Sequence, residues 1–184
     1  MSRYNPWKHH RRSVHLPDHD YVDGVYFVTV CAHHHECLFG DVVDDMMHRN
    51  AFGDVVHAEW LRTEQVRPYV TLDAFVVMPN HFHAVLFILP DTPSVGATRR
   101  VAPTRTPHPN GPTSGSLGAI MGQFKSIVTK RINDMRDTPG GKVWQRSYYD
   151  TWLRTETMLN TRRLYVQTNP ARWADDEHHP EHVK

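Results

Sequence analysis

Two apolar stretches, Val70 to Met78 and His81 to Leu89, stand with only Pro79-Asn80 between them, and this pairing constrains the fold more than any other feature of the chain. In the first stretch Val70, Leu72, Ala74, Val76 and Met78 fall on one side, with Phe75 and Val77 on the other, which is the two-residue period of a β-strand. Proline and asparagine suit a tight turn, so His81 to Leu89 reads as the returning strand of an antiparallel hairpin.

A further strand is expected at Val25 to Cys31 (VYFVTVC), which follows Asp23-Gly24 and is rich in β-branched and aromatic residues; it should be central. Asp41 to His48 reads as a small hairpin about Asp44-Asp45. Asn50 is placed to cap a helix in which Phe52, Val56 and Trp60 recur, running to about Thr63. Ser116 starts a second helix, with Leu117, Ile120, Phe124, Ile127, Val128 and Met135 on one side and Lys125, Lys130 and Arg136 on or near the other, broken by Gly140-Gly141. A third helix is expected from about Thr155 to Thr168, stopping near Pro170. Residues 91–115, loaded with Pro, Gly, Thr and Arg and without a period, read as a flexible loop. Residues 174–184, acidic and histidine-rich, read as a frayed tail. Strands mixed with amphipathic helices define an α+β fold, and 184 residues suit a single domain over 1–184.

A formal net charge of +1 conceals an uneven distribution. Between Ala97 and Trp173 only Asp134, Asp137, Asp150 and Glu156 oppose a long series of Arg and Lys residues, with Trp144, Tyr148, Tyr149 and Trp152 interleaved. Such a surface can neutralise phosphates and stack unpaired bases; the same residues also fit a solvated basic face over core aromatics. Met1 to Arg12 lacks the apolar run of a secretory signal and no segment is long enough to span a bilayer, so a cytoplasmic location and no membrane partner are expected. Cys31 and Cys37 form neither a C-x-x-C pair nor a disulfide framework and are expected to be structural.

On the returning strand, alternation projects His81 and His83 to one face while Phe82 and Ala84 turn to the other, so two imidazoles can share one ion. Two ligands are too few for a closed structural zinc site, which leaves positions open for substrate, and a third must come from elsewhere. The other clusters, His9-His10, His33-His34-His35 and His178-His179, place consecutive residues in divergent directions within expected loops or tails and read as solvent-exposed, with backbone or phosphate contact open to the first two.

At Met78 to His83 (MPNHFH) the chain resembles the histidine-hydrophobe-histidine motif of the HUH single-strand nucleases. More of it resembles one branch, the REP-associated tyrosine transposases and their insertion-sequence relatives: His9 to Pro17 (HHRRSVHLP), Tyr26 to Gly40 (YFVTVCAHHHECLFG), Phe75 to His83 (FVVMPNHFH), Phe124 to Ser126 (FKS), Trp144 to Asp150 (WQRSYYD) and Tyr165 to Trp173 (YVQTNPARW). These blocks lie in order over almost the whole chain.

The resemblance implies a ferredoxin-like antiparallel sheet with the histidines on a central strand, and a catalytic tyrosine on a C-terminal helix four residues before an amide that completes the metal site. The matching positions are Tyr165 and Asn169, a spacing that puts both on one helix face. Arg162 stands where relatives tend to carry an apolar residue, and Tyr148 and Tyr149 offer rival hydroxyls. It further implies Mg²⁺ or Mn²⁺ held by His81, His83 and Asn169, a 5′-phosphotyrosine intermediate, a single-stranded substrate with a short palindromic hairpin, and action as a monomer or homodimer. Arg11, Arg12, Arg99, Arg100, Arg105 and Lys125 are the expected phosphate contacts. Two other readings are a hairpin-binding module without chemistry and a histidine-dependent nucleotidyl hydrolase; Val85 occupies the position where the latter needs a third alternating histidine.

Overall fold

The computed structural model describes residues 23–90 and 112–182. In chain order the strands are β1 (Gly24–Cys31), β2 (Gly40–Val43), β3 (Met46–Arg49), β4 (Val70–Val77), β5 (His81–Ile88) and β6 (Tyr149–Trp152), and the helices are α1 (Ala51–Gln65), α2 (Leu117–Arg136) and α3 (Glu156–Thr168). Four strands form one antiparallel sheet in the order β4-β5-β1-β6, while β2 and β3 pair separately. Leaving that small hairpin aside, the order β1-α1-β4-β5-α2-β6 with β1 and β5 innermost is the ferredoxin-like arrangement, and the fold is α+β.

Side-chain oxygens start each helix. Asn50 accepts from the amides of Phe52 and Gly53, Ser116 from that of Ala119 and Thr155 from that of Met158. Asp44 and Asp45 both take positive φ, 51° and 60°, as the favoured two-residue hairpin turn between β2 and β3 requires. The end of α2 is set earlier than Gly140-Gly141 suggests, by Asp137 in the left-handed conformation directly after Arg136.

One face of the sheet packs against α1 and α2. Phe82 of β5 meets Trp60 of α1 and Phe124 of α2, with the three ring pairs 5.0–5.3 Å apart. Trp144, for which base stacking and core packing were equally open, is 6% exposed and packs against Phe39 and Phe124 in this core, so it fills volume. The opposite face is covered by α3 through a smaller cluster of Phe27, Val85, Leu153 and Val166. There the Arg163 guanidinium forks onto the Asp73 carboxylate of β4, at 2.5–3.1 Å.

Asp73 lies where the strict alternation expected of β4 fails. The pairing with β5 shifts between Leu72 and Phe75, which is a bulge, so Leu72 and Phe75 both pack with the α1–α2 core while Ala74 and Val76 join the α3 cluster. The basic excess of the C-terminal half is also partly internal. Arg131 pairs with buried Glu59, Lys130 with Asp134 and Arg163 with Asp73, so these three cations are engaged by carboxylates. No helix among the described residues is long and apolar enough to cross a membrane.

Candidate active site

His81 and His83 project from β5 toward α3, 0% and 2% exposed, with ring centroids 4.5 Å apart. The tautomer of His81 follows from its neighbours. Asn80 Nδ2 donates to the carbonyls of His35 (3.1 Å) and His178 (2.7 Å), which can only accept, so its Oδ1 must face His81 and accept the Nδ1 proton at 2.9 Å. The lone pair of His81 then lies on Nε2, a buried atom without a hydrogen-bond partner. His83 Nδ1 lies 2.8 Å from Thr29 Oγ1, and its Nε2 lies 3.3 Å from the Tyr165 hydroxyl.

Burial holds both imidazoles well below their ordinary range, reinforced at His81 by His83 and His178 and at His83 by His178 and Arg162. They are neutral at pH 7, the state a metal ligand needs. Tyr165 comes from the inner face of α3, its ring edge-on to Phe27 and to the His83 ring. Burial pushes its phenol above the ordinary value, with Asp176 and Glu177 acting the same way and Arg162 and Asn169 opposing.

Asn169, at the C-terminal cap of α3, is 1% exposed. Its Nδ2 donates to Asp176 Oδ2 at 3.0 Å, whereas its Oδ1 is buried without a partner. The expected quartet of His81, His83, Tyr165 and Asn169 is therefore gathered in one pocket.

Residues 174–182 are not a frayed tail: after the turn Pro170–Asp175 the chain folds back over the histidines. Asp176 is 7% exposed, and one ligand atom from each of His81, His83 and Asp176 lies within 4.8 Å of the others. His178 is likewise not solvent-exposed, its ring lying 4.7 Å from His81 and 6.2 Å from His83. Sequence reasoning missed Asp176, whose only signal was a carboxylate seven positions beyond Asn169.

Arg162 lays its guanidinium over the Phe27 ring, 4.7 Å from the centroid, and lies 5.9 Å from the Tyr165 ring, which is how a cation is accommodated where an apolar residue was expected. Of the rival hydroxyls, Tyr148 packs with the α1–α2 core, and Tyr149 pairs in register with Thr29, sharing the site face of the sheet. Lys125, expected at a phosphate, directs its ammonium to the carbonyls of Gln145, Arg146 and Ser147 at 2.8–3.2 Å. Three acceptors use its three protons, so it holds the approach to β6. Arg11, Arg12, Arg99, Arg100 and Arg105 lie outside the described residues.

The donor set suits a divalent cation. Ligand atoms of two neutral imidazoles and a buried carboxylate lie within 4.8 Å of one another, and Asn169, bonded to that carboxylate, adds an amide oxygen beside them.

No known family model matches the sequence. Among solved structures, that of a REP-associated tyrosine transposase bound to a REP hairpin superposes with a TM-score of 0.55 at 16% identity, covering 94% of this chain and 74% of that one. The chain thus has the fold of the HUH transposases. By sequence it belongs to one family with an uncharacterised protein of Haemophilus influenzae, 33% identical over 181 residues, which span 96% of this chain and 97% of the relative.

Proposed function

We propose that the chain is a metal-dependent single-strand DNA nicking and joining enzyme of the transposase type, acting on hairpin DNA through a tyrosine nucleophile. The observation that carries this reading is the Tyr165 hydroxyl at His83 Nε2 in the same buried pocket as the unpartnered His81 Nε2 and Asn169 Oδ1. The resident transposase-like fold, whose solved example binds a REP hairpin, supports the substrate class.

His81, His83 and Asn169, joined by Asp176, are the residues that would hold Mn²⁺ or Mg²⁺, and the two imidazoles favour Mn²⁺ of the pair. Such an ion supplies Lewis-acid polarisation of the scissile phosphate. Asn80 and Thr29 hold the two imidazoles with their Nε2 atoms inward, and α3 brings Tyr165 to the same point. The lone pair of His83 Nε2 serves one partner at a time, so its ligand role and its contact with the hydroxyl are exclusive.

Tyr165 Oη attacks phosphorus, the bond from phosphorus to the 3′-oxygen breaks, and the leaving oxygen takes a proton, giving a 5′-phosphotyrosine and a free 3′-hydroxyl. Because burial raises the phenol, its proton must be removed as the attack proceeds; the Arg162 charge nearby favours the phenolate that results. The tyrosine link is still a phosphodiester, so attack by another 3′-hydroxyl rejoins strands without a nucleotide cofactor.

The test is incubation of the full chain with labelled hairpin DNA carrying single-stranded flanks, with Mn²⁺ or with chelator, followed by denaturing electrophoresis. A metal-dependent protein–DNA adduct is expected, lost in His81→Ala and His83→Ala while hairpin binding persists. Hairpin binding that is indifferent to chelator and never yields an adduct would instead support the binding module.

A further inference from the structure

A second group of ligating side chains lies beside the pocket already described. Cys31 closes β1, His35 sits in the turn His33–His35 after it, and His178 arrives from the C-terminal segment; one ligand atom from each lies within 4.8 Å of the others. Cys31 is 2% exposed and its Sγ is 3.9 Å from His178 Nδ1, while the rings of His35 and His178 stack at 5.5 Å. In register Cys31 pairs with His81, so the thiol is on the same face of the sheet as the first pocket yet faces a different set of atoms.

An independent feature concerns His35. Its Nε2 lies 2.7 Å from the Gln145 amide nitrogen, and its Nδ1 is buried without a hydrogen-bond partner. With the amide nitrogen donating to Nε2, the ring proton must lie on Nδ1, where nothing accepts it. With the Gln145 amide turned over, its oxygen takes the Nε2 proton and Nδ1 presents a lone pair in this buried spot. That lone pair gains a partner only from something electron-accepting, and a cation between a thiol and a second imidazole is such a partner. The loop is held in place for it: His34 and His35 both take positive φ, 55° and 54°, and Asn80 Nδ2 binds the backbone carbonyls of both His35 and His178.

We propose that Cys31, His35 and His178 form a second metal site, which takes a thiophilic divalent cation of the zinc class and ties the C-terminal segment to the sheet. One sulfur and two nitrogens match the ligands of Zn²⁺ and exclude Mg²⁺, which prefers oxygen, so the two pockets sort metals by donor type. Binding replaces the Cys31 thiol proton, released to solvent, by a sulfur–metal bond. Burial, with Asp176 and Glu177, pushes that thiol up to about 12, so it holds its proton until a cation displaces it. Asp176 stands two residues before His178, and its Oδ1 accepts the His178 amide at 2.7 Å, so an ion here also fixes the carboxylate that faces His81 and His83.

Cobalt is the probe, because a thiolate ligand gives Co²⁺ an intense near-ultraviolet charge-transfer band that a site of imidazole and carboxylate lacks. The full chain, reduced and metal-free, is titrated with Co²⁺ and then with Zn²⁺. A band that saturates with one Co²⁺ and is bleached by Zn²⁺ is expected. It should vanish in Cys31→Ser, weaken at least about tenfold in cobalt affinity in His178→Gln, and survive in Cys37→Ser and in His81→Ala. Circular dichroism checks each fold, and Cys31→Ala replaces Cys31→Ser if the latter unfolds. No band in the wild type, a band that persists without Cys31, or one lost in His81→Ala overturns the proposal. None of these outcomes depends on DNA cleavage, so this site and the nuclease reading stand or fall separately.

Discussion

On the face covered by α1 and α2, β5 presents Phe82, Ala84, Leu86 and Ile88 to a core dense in aromatic rings, whereas on the face covered by α3 the same strand presents His81, His83 and Val85 to a small apolar cluster with a polar pocket beside it. The first face has the side chains of a stability core. The second encloses two buried acceptors without partners, His81 Nε2 and Asn169 Oδ1, whereas the unpartnered buried polar atoms of the first, Trp60 Nε1 and Trp144 Nε1, are N–H donors that no cation can use. An unpartnered buried acceptor normally costs about 1–3 kcal/mol, a cost that a bound cation would remove. The difference implies that substitutions on the two faces should separate cleanly into loss of stability and loss of chemistry.

The largest effect should come from one atom. Tyr165→Phe keeps the ring that packs on Phe27 and His83 but removes the oxygen that reaches His83 Nε2. Covalent adduct should fall to background on a denaturing gel while thermal stability stays close to wild type. Tyr149→Phe, on the same sheet face, and Tyr148→Phe, on the core side, should both retain the adduct. Survival of the adduct in Tyr165→Phe with its loss in Tyr149→Phe would move the nucleophile to β6.

The opposite behaviour is expected of Trp60→Ala. Trp60 is fully buried against Phe82 and Phe124, so the truncation should destabilise by about 3–5 kcal/mol in urea unfolding. Whatever protein remains folded should form adduct at the wild-type rate per folded molecule. A catalytic defect larger than the folded fraction explains would mean that the core face shapes the pocket, and the division between faces would fail.

What could be read in advance follows the same division. Alternation in β5 locates His81 and His83 on one face, and helical spacing puts Tyr165 and Asn169 together, because each pattern is local to one element. The bulge at Asp73 was not legible, since Ala74 to Met78 is apolar throughout and fits either face, and only the pairing with β5 and the Arg163 fork reveal the shift. Nor was the role of the C-terminal segment. Asp176 and His178 lie in a short polar stretch that resembles a solvated tail, and their burial comes from the bond of Asp176 to Asn169 and the long-range contacts of His178 with Asn80 and His81. Trp144 stayed undecided and Lys125 was misplaced for a related reason: an aromatic or a cation in a basic segment has the same sequence signature whether it meets DNA or its own chain.

Acidification should weaken the site face first. The folded-state pKa values of His81 and His83 are depressed, so as pH falls below the unfolded value of about 6.5 the unfolded chain binds protons before the folded one does. The stability that the neutral imidazoles allow is complete above that pH and declines on the way to their folded-state values. Asp73, held low by Arg163, adds a further loss only below about pH 4. In chelator-containing buffer, melting temperature should drop between pH 7 and pH 5, and the drop should flatten in the double variant His81→Asn, His83→Asn. An unchanged slope in that variant would assign the acid sensitivity to other groups.

The smallest effect tests whether the two faces are independent at all. Asn50 caps α1 on the side of the sheet away from the pocket; its Oδ1 accepts from the amides of Phe52 and Gly53, and its Nδ2 donates to the Leu38 carbonyl at 3.0 Å. Asn50→Ala strands two helix donors, but the residue is exposed and water can reach them, so the expected loss is about 1 kcal/mol. That corresponds to a fall of roughly 2–4 °C in melting temperature for a domain of this size class. At 25 °C the folded fraction hardly changes, and neither should the adduct yield or its rate, because the hydrogen bonds of Asn50 run to Leu38, Phe39, Phe52, Gly53 and Asp54 and not to His81, His83, Tyr165 or Asn169. Single-turnover adduct formation by the wild type and Asn50→Ala, measured well below both melting transitions, decides the matter. Equal rates keep α1 as pure scaffold; a slower variant would show that motion of α1 reaches the histidines through Phe82, the residue of β5 that lies between them and points the other way.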